Sequence, residues 1–277
     1  MRTNPTHYFL KYLNVAPFSL ALWRAPEADI IYRVYTKLQK KRGDKNDLLE
    51  FKKPVLDIGC GFGEFAGVFF DTQIEIGIDI SIDDLLKAEK VKKYKKLLAA
   101  DARKLPFAKN TFSTIISVSV LEHISHPEIS IREAYRVLKR GGLFIYTVPT
   151  SVLNEHLYYP RLFKSLGMNR LAHFYLKTYH KVFKHINIFP PNTWKKMTEK
   201  AGFIIIHTEG TFTSSLVKAF DIFLLTALPS QLSRWLIGSR WVWGLGFKKR
   251  LLSPLYTYLV THGESTESNI LIIAKKI

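Results

Sequence analysis

Short apolar runs of strand length alternate with segments of helical period through the middle of this 277-residue chain. Helical patterns begin near residue 63, after the N-cap residue Ser81 and near residue 127, and Gly141-Gly142 is expected to end the third. Because strands that alternate with helices are joined by right-handed crossovers, the pattern predicts an α/β fold with a parallel sheet. The predicted strands are 54–59, 74–80, 96–100, 114–120, 143–149, Phe203–His207 and Asn269–Ala274.

The first predicted strand runs into a glycine-rich turn, and the second ends at an acidic residue. The turn spans Asp57–Gly63 with the pattern D-x-G-x-G-x-G, and Asp79 closes the second apolar run. Glycine has no Cβ and lets a ligand approach the backbone closely. The following helix offers unpaired N–H groups, and an acidic side chain after the second strand can bind ribose hydroxyls. The sequence therefore predicts a nucleoside-containing cofactor.

The glycine spacing distinguishes two kinds of cofactor. The dinucleotide fingerprint G-x-G-x-x-G requires a third glycine at the position of Glu64. A glutamate is unfavourable beside a pyrophosphate, so a nicotinamide-dependent oxidoreductase is the alternative enzyme that the spacing disfavours.

The glycine turn resembles motif I of the class I S-adenosylmethionine (SAM) methyltransferases. The resemblance covers Val55 to Pro149, and Ser113 departs from it because the family often has Asp there. The order and spacing of five further segments are similar to the small-molecule group called type 11: Ala100–Ala102, Leu105–Phe107, Asn110–Phe112, Leu121–Ile124 and Arg132–Gly142.

This resemblance implies SAM as the cofactor and a Rossmann-like sheet of seven strands, mostly parallel, with the last strand antiparallel. It places the glycine turn against the methionine part of SAM, Asp79 at the ribose, and the Asp101-Ala102 pair at the adenine. The cofactor-binding residues that it implies are Asp57, Gly59, Cys60, Gly61, Gly63, Asp79, Ile80, Asp101, Ala102 and Ser117.

The rest of the chain suggests three additions to this domain. Residues 1–50 predict an N-terminal helical lid, on which Arg24 and Glu27 are interpreted as a surface ion pair rather than a pocket contact. Residues 51–210 with 268–277 form the predicted methyltransferase domain, in which 150–190, rich in aromatic residues and histidine, is a substrate cap. Residues 211–267 form a hydrophobic helical insertion where the family normally has a short loop.

The insertion contains the apolar segment Leu216–Leu225, three tryptophans and a basic cluster, namely Trp235, Trp241, Trp243 and 248–250. Aromatic rings with flanking cations suit a membrane–water interface, and Pro229 and Pro254 break the insertion into pieces too short to span. Two interpretations stand equal: peripheral binding to an anionic membrane surface, or a cap over a hydrophobic acceptor.

The net charge and the cysteine count bear on which partners the protein binds and in which compartment it lies. The net charge of +18, from 41 basic and 23 acidic residues, favours acidic partners, although a solvated basic surface also explains it. Nucleic acid is disfavoured, because Ser117–His123 lies where DNA amino-methyltransferases carry their Asn/Asp-Pro-Pro-aromatic motif; the absence of that motif alone leaves RNA binding open. The single cysteine, Cys60, permits no internal disulfide. We predict a cytoplasmic protein, with a peripheral position at the inner face of the membrane as an extension; the apolar run around Pro17 is not interpreted as a signal peptide.

His123, just past the fourth strand, is the candidate general base if the acceptor must lose a proton. A structural histidine that caps the turn is the equal alternative. No metal site is predicted, because His173, His180 and His185 have no carboxylate or cysteine at ligand spacing. The sequence therefore predicts a SAM-dependent methyltransferase for a small-molecule or lipid-linked acceptor. A non-catalytic, membrane-docked protein of the same fold is the alternative outside enzymes, and the acceptor atom and oligomeric state stay open.

Overall fold

The computed structural model describes residues 6–41, 51–224 and 245–277. Seven strands in these ranges form one sheet in the order β3-β2-β1-β4-β5-β7-β6. Their bounds are β1 Val55–Ile58, β2 Ile74–Asp79, β3 Tyr94–Ala99, β4 Phe112–Val118, β5 Leu138–Pro149, β6 Phe203–Thr213 and β7 Ser265–Lys276.

The helices precede, connect and follow these strands, and a short 3-10 turn at Leu121–His123 follows β4. None of the described helices is both long enough and apolar enough to cross a bilayer. In chain order they are α1 His7–Leu13, α2 Phe18–Lys41, α3 Glu64–Phe69, α4 Ile82–Val91, α5 Pro127–Val137, α6 Leu153–His156, α7 Tyr158–Ser165, α8 Asn169–Val182, α9 Pro191–Lys200, α10 Ser214–Ile222 and α11 Leu245–Thr261.

The strand pairing confirms the predicted fold class. Strand β1 pairs in parallel with β2 and with β4, β3 pairs in parallel with β2, and β5 with β4. Strand β7 lies between β5 and β6 and gives the sheet its antiparallel end. The structure is therefore the Rossmann-like, mostly parallel sheet that the sequence predicts.

The chain falls into two compact units. We call the first the sheet unit and the second the helical unit. The sheet unit is Val34–Ser151, Lys184–Glu209 and Ile270–Ile277; the helical unit is Met1–Arg33, Val152–Phe183 and Gly210–Asn269. The functional division into lid, methyltransferase domain, cap and insertion stays a prediction.

Apolar side chains on the central strands form the core of the sheet unit. All four residues of β1 and all seven of β4 are buried, which is typical of parallel strands covered on both faces. Leu56, Ile115, Phe144, Ile272 and Trp194 belong to this core. The central strands are therefore fixed in place, and their carboxyl ends can position a site.

The helical unit has a buried polar contact that the sequence does not predict. Glu27 on α2 is fully buried, and it accepts hydrogen bonds from Arg24 at 3.0 Å and from the Asn269 side chain at 2.9 Å. The interpretation of Arg24 and Glu27 as a surface ion pair is therefore wrong. Asn269, 242 positions further along the chain, supplies the contact that allows the carboxylate to be buried.

Two expected boundaries also differ. Helix α5 ends at Val137, and Leu138 already pairs with Phe112, so Gly141-Gly142 lies inside β5 rather than at the end of the helix. The strand pairing shifts register there, between Phe112 and Thr114 on β4. The last two strands also extend beyond the predicted Phe203–His207 and Asn269–Ala274, because the apolar runs mark only part of each strand.

Candidate functional site

The glycine turn after β1 is hydrogen-bonded to the end of β2. The backbone N–H groups of Gly59 and Cys60 both donate to the Ile78 carbonyl, at 2.8 and 2.9 Å. Gly59, Gly61 and Gly63 have φ values of 73°, 52° and 79°, in the left-handed region that side chains disfavour. The turn therefore has a fixed shape that depends on its glycines.

Each glycine of the turn is needed for a different reason. A Cβ on Gly59 would overlap the side chain of Val120, and one on Gly63 would lie 3.1 Å from the Ala88 Cα. A Cβ on Gly61 would meet no described atom within 4 Å. The backbone at Gly61 therefore faces open space, where a ligand can approach it.

Asp79 presents a carboxylate of fixed orientation beside that space. One of its oxygens accepts the Gly61 N–H at 2.8 Å, and the other accepts the Ser81 N–H at 2.9 Å. Ser81 in turn caps α4 by accepting the Asp84 N–H at 3.2 Å, which confirms the predicted N-cap. An ionised carboxylate has about four lone-pair positions, so each oxygen of Asp79 can still accept a ligand hydroxyl. Asp79 thus fits the ribose of SAM, and the open space at Gly61 fits the methionine part beside it.

Asp57, by contrast, is an internal residue. Its side chain is buried and accepts a hydrogen bond from the Tyr94 hydroxyl at 2.7 Å. Burial raises the pKa of Asp57 from 3.8 to about 7; the Tyr94 hydrogen bond acts in the opposite direction, and the charge of Asp79 adds to the increase. Asp57 therefore connects the end of β1 to β3, and Tyr94 is a partner that the sequence does not reveal.

Asp101 is held by a neighbour that the motif does not include. The Arg103 guanidinium contacts both carboxylate oxygens at 2.7–3.1 Å and also donates to the Ser125 hydroxyl at 2.7 Å. The Arg103 hydrogen bonds lower the pKa of Asp101 below its usual range. Arg103 thus keeps Asp101 ionised and orients it, and its position two residues along the chain is the only sequence signal for this role.

The remaining predicted cofactor residues lie in different environments. Ile80 is 74% exposed, which is unusual for a large apolar side chain directly after a strand, whereas Ala102 is buried. Ser117 is fully buried in β4, and its Oγ has no hydrogen-bond partner among the described residues. Burial raises the pKa of the Cys60 thiol, and Asp57 and Asp79 raise it further, so the thiol stays protonated.

His123 lies in the 3-10 turn after β4 and is 40% exposed. Its Nδ1 is 3.0 Å from the Lys184 carbonyl oxygen, and its ring stacks on His185 at 5.6 Å between centroids. With Nδ1 donating to that carbonyl, Nε2 carries the lone pair of the neutral ring, and it lies 3.7 Å from a carboxylate oxygen of Glu122. The same contacts serve both interpretations, because they anchor the turn and also orient a nitrogen that can accept a proton.

The neighbouring segment reinforces this turn. The backbone N–H groups of Ile186 and Asn187 donate to the Glu122 carbonyl at 2.9 and 3.0 Å. The Asn187 side chain donates to the Ile124 carbonyl at 2.6 Å. Residues 184–187 therefore hold the position of His123, and the sequence gives no sign of this pairing.

Comparison with known proteins identifies the family. The family model for a methyltransferase domain of type 11 matches residues 56–146. A ubiquinone/menaquinone biosynthesis C-methyltransferase from Pseudomonas fluorescens is 31% identical over 179 residues, which cover 59% of this chain and 69% of the relative. A malonyl-[acyl-carrier protein] O-methyltransferase from a Paenibacillus species is 23% identical over 197 residues, 66% of this chain and 67% of the relative.

The match to other relatives is shorter, and the structural matches support the fold. The chain spans about half the length of the first relative matched, an uncharacterized protein of Methanocaldococcus jannaschii, at 36% identity over 47% of this chain and 54% of that protein. A SAM-dependent methyltransferase from Thermotoga maritima superimposes with a TM-score of 0.50 at 20% identity, covering 99% of this chain and 100% of that one. The chain belongs to the class I SAM-dependent methyltransferases of the type 11 family, and SAM is the cofactor of this family.

Proposed function

We propose that this protein transfers a methyl group from SAM to a small-molecule acceptor. The observation that carries the proposal is the arrangement of Gly61 and Asp79. The Gly61 backbone faces open space, and its N–H fixes a carboxylate that can still accept hydrogen bonds. That pairing is suited to a ribose bound at Asp79 and a methionine part bound against the glycine turn, which is the binding mode that the family resemblance implies.

SAM supplies an electrophilic methyl group on a sulfonium, so the protein's task is to bind, orient and exclude water. In our proposal Asp79 accepts hydrogen bonds from the ribose hydroxyls. The exposed side chain of Ile80 offers an apolar face to the adenine, and Asp101, oriented by Arg103, accepts a hydrogen bond from the adenine edge. Asp57 acts indirectly, by fixing the end of β1 through Tyr94.

For an acceptor that must lose a proton, we propose that Nε2 of His123 removes it. The Lys184 carbonyl holds the ring in place and favours the tautomer with the proton on Nδ1. General-base assistance of this kind contributes about 10²–10⁴ in rate.

The narrower proposal is a lipid-linked acceptor, used at the inner face of a membrane. Its support is the apolar and aromatic insertion in the sequence. Trp235, Trp241 and Trp243 lie outside the described residues, as do the side chains of 248–250. The names of the two methyltransferase relatives specify methylation of carbon in one and oxygen in the other, so the acceptor atom is open.

Calorimetry with SAM tests the proposed function. Asp79→Ala should weaken SAM binding at least tenfold with the fold intact, because charge-assisted hydrogen bonds contribute about 1.5–3 kcal/mol each. Asp71→Ala, a change to an exposed aspartate, is the matched control and should leave the affinity unaltered. Unchanged SAM affinity in Asp79→Ala would sink the assignment, and saturable NAD binding by the parent protein would favour the oxidoreductase alternative.

A further inference from the structure

Helices α7 and α8 form a hairpin whose tip, residues 162–174, has a defined shape. The turn between the helices is closed by hydrogen bonds from the Gly167 N–H to the Lys164 carbonyl, 3.0 Å, and from the Met168 N–H to the Phe163 carbonyl, 2.8 Å. Gly167 has φ +73°. This is a Schellman motif, in which a left-handed glycine satisfies the last carbonyl groups of a helix. The hairpin tip is therefore an ordered turn.

The inner side of the hairpin is already packed. On α10, the buried carboxylate of Asp221 accepts the Tyr159 N–H at 3.0 Å and the Tyr175 hydroxyl. The Tyr175 ring lies 5.6 Å from that of Tyr159 and 6.2 Å from that of Phe163. These contacts join α7, α8 and α10, so folding of the helical unit does not require the outer side of the hairpin.

The outer side nevertheless carries large apolar side chains. Leu166 is 63% exposed, Met168 46% and Phe174 64%, while Leu162 and Leu171 are each 37% exposed. Single exposed apolar residues are ordinary on protein surfaces, but here five occur within thirteen residues around one turn, and we call these five side chains the patch. Burial of this patch would be favourable, and the described chain does not provide it.

The charged residues of the hairpin indicate which kind of partner fits the patch. The hairpin from Tyr158 to Val182 contains Arg161, Lys164, Arg170, Lys177 and Lys181 and no acidic residue. Within the described ranges, no carboxylate is in ion-pair contact with Lys164, Arg170 or Lys177, and all three side chains are exposed. Exposed apolar side chains around one turn, with three exposed cations that have no ion-pair partner in the described ranges, match an anionic bilayer, where the apolar groups enter the acyl region and the cations meet the headgroups.

We propose that the hairpin tip is a surface by which this protein docks on anionic membranes. The proposal deepens the lipid-linked form of the proposed function and rests on it for its purpose. This surface differs from the candidate membrane-binding segment of the sequence analysis, residues 211–267, because the hairpin precedes β6 in the chain. Nucleic acid fits less well, since the apolar side chains of the patch offer phosphates no hydrogen bond, and only Phe174 among these five provides a ring for base stacking.

Vesicle flotation of the full-length protein tests the proposal, with phosphatidylcholine vesicles that contain or lack phosphatidylserine. We expect Leu166→Ser/Phe174→Ser to lower the partition coefficient on anionic vesicles roughly tenfold or more. Leu86→Ser/Ile204→Ser is the matched control, because these side chains are also exposed, at 57% and 49%, and lie elsewhere. The control should bind vesicles like the parent protein.

A second pair of variants separates the hairpin from the overall charge of the protein. Each cation at an anionic surface changes binding about fivefold, so Lys164→Gln/Arg170→Gln/Lys177→Gln should weaken it about a hundredfold. Lys87→Gln/Lys90→Gln/Lys96→Gln removes the same charge from other exposed positions and should have a much smaller effect.

The outcomes distinguish this proposal from the proposed function. Parent protein that stays unbound on anionic vesicles, or hairpin and control variants that lose binding equally, would overturn the docking proposal. SAM affinity, measured by calorimetry on the same samples, should be unchanged in all four variants, and circular dichroism should show an intact fold. If the parent protein bound anionic vesicles but did not bind SAM, the result would count against the proposed function alone.

Discussion

The stability of Asp57→Asn relative to the parent protein should increase as the pH rises from about 4 to about 7. Asp57 is buried in the sheet unit, with a pKa of about 7 against an ordinary value of 3.8. Burial is the main cause of this raised pKa, because an ionised carboxylate loses its hydration in the core. The hydrogen bond from the Tyr94 hydroxyl lowers the pKa, but only in part.

The direction follows from proton linkage. Between pH 3.8 and about 7 the unfolded chain has lost this proton, whereas the folded protein still holds it. Folding then takes up a proton that becomes scarcer with rising pH, so the free energy of unfolding of the parent falls across this window. The two pKa values are about 3 units apart, and about 1.4 kcal/mol per unit gives a loss on the order of 4 kcal/mol.

The asparagine amide cannot ionise, so this loss is absent from the variant. Its carbonyl oxygen can still accept the Tyr94 hydroxyl, which donates at 2.7 Å in the parent. The amide also adds N–H donors to a buried position, at a cost of about 1–3 kcal/mol that does not depend on pH. We expect the variant to be less stable than the parent near pH 4.5 and at least as stable near pH 8.

Urea denaturation without SAM measures this difference. The free energy of unfolding is extrapolated linearly to zero urea at each of several pH values between about 4.5 and about 8. Asp71→Asn is the control, because it makes the same chemical change at an exposed position. A stability difference between Asp57→Asn and the parent that stays constant over this range would refute the reasoning, since Asp57 would then not titrate within it.

Two further predictions concern the glycine turn and the base. Gly61→Ala should fold with a modest loss of stability, because its φ of 52° disfavours a side chain, and should lose SAM affinity at least tenfold, because its Cβ enters open space that the cofactor would use. Gly59→Ala should lower thermal stability more, since its Cβ also overlaps Val120. Equal SAM affinity in Gly61→Ala and the parent would contradict the first expectation. His123→Ala should lower kcat by about 10²–10⁴ without changing SAM affinity, and a loss below about threefold would leave His123 with a structural role.

The fold is largely predictable because its strongest signals are local. The central strands β1 and β4 are short runs rich in apolar residues and are buried along their whole length, and Ser81 begins α4 through its own side chain. The errors arise where distant residues decide the structure. Gly141-Gly142 is typical of a helix end, but pairing of Leu138 with Phe112 ends the helix earlier. Arg24 and Glu27 are three positions apart on one helix, as in many surface ion pairs, yet Glu27 is buried and accepts a hydrogen bond from the distant Asn269.

The site is predictable in part, for the same reason. Gly61 and Asp79 lie in a motif whose spacing carries their chemistry, and the structure joins them by a hydrogen bond. Tyr94 could not be found, because it bonds Asp57 from another strand, 37 residues away. The support of His123 by Lys184 likewise depends on a segment 61 residues later. Motif spacing predicts which residues can face a ligand, whereas the residues that hold them in position are found only in the folded chain.

The position of β7 between β5 and β6 has a consequence for synthesis on the ribosome. Strand β6 leaves the ribosome before β7, yet its place in the sheet is beyond β7. Until residues 265–276 emerge, the nascent chain therefore carries an open edge on β5, whose last eight residues are all buried in the finished protein. An unpaired apolar strand edge is a template for aggregation. We therefore expect this edge to be exposed to aggregation or to chaperone binding during translation, until β7 closes the sheet.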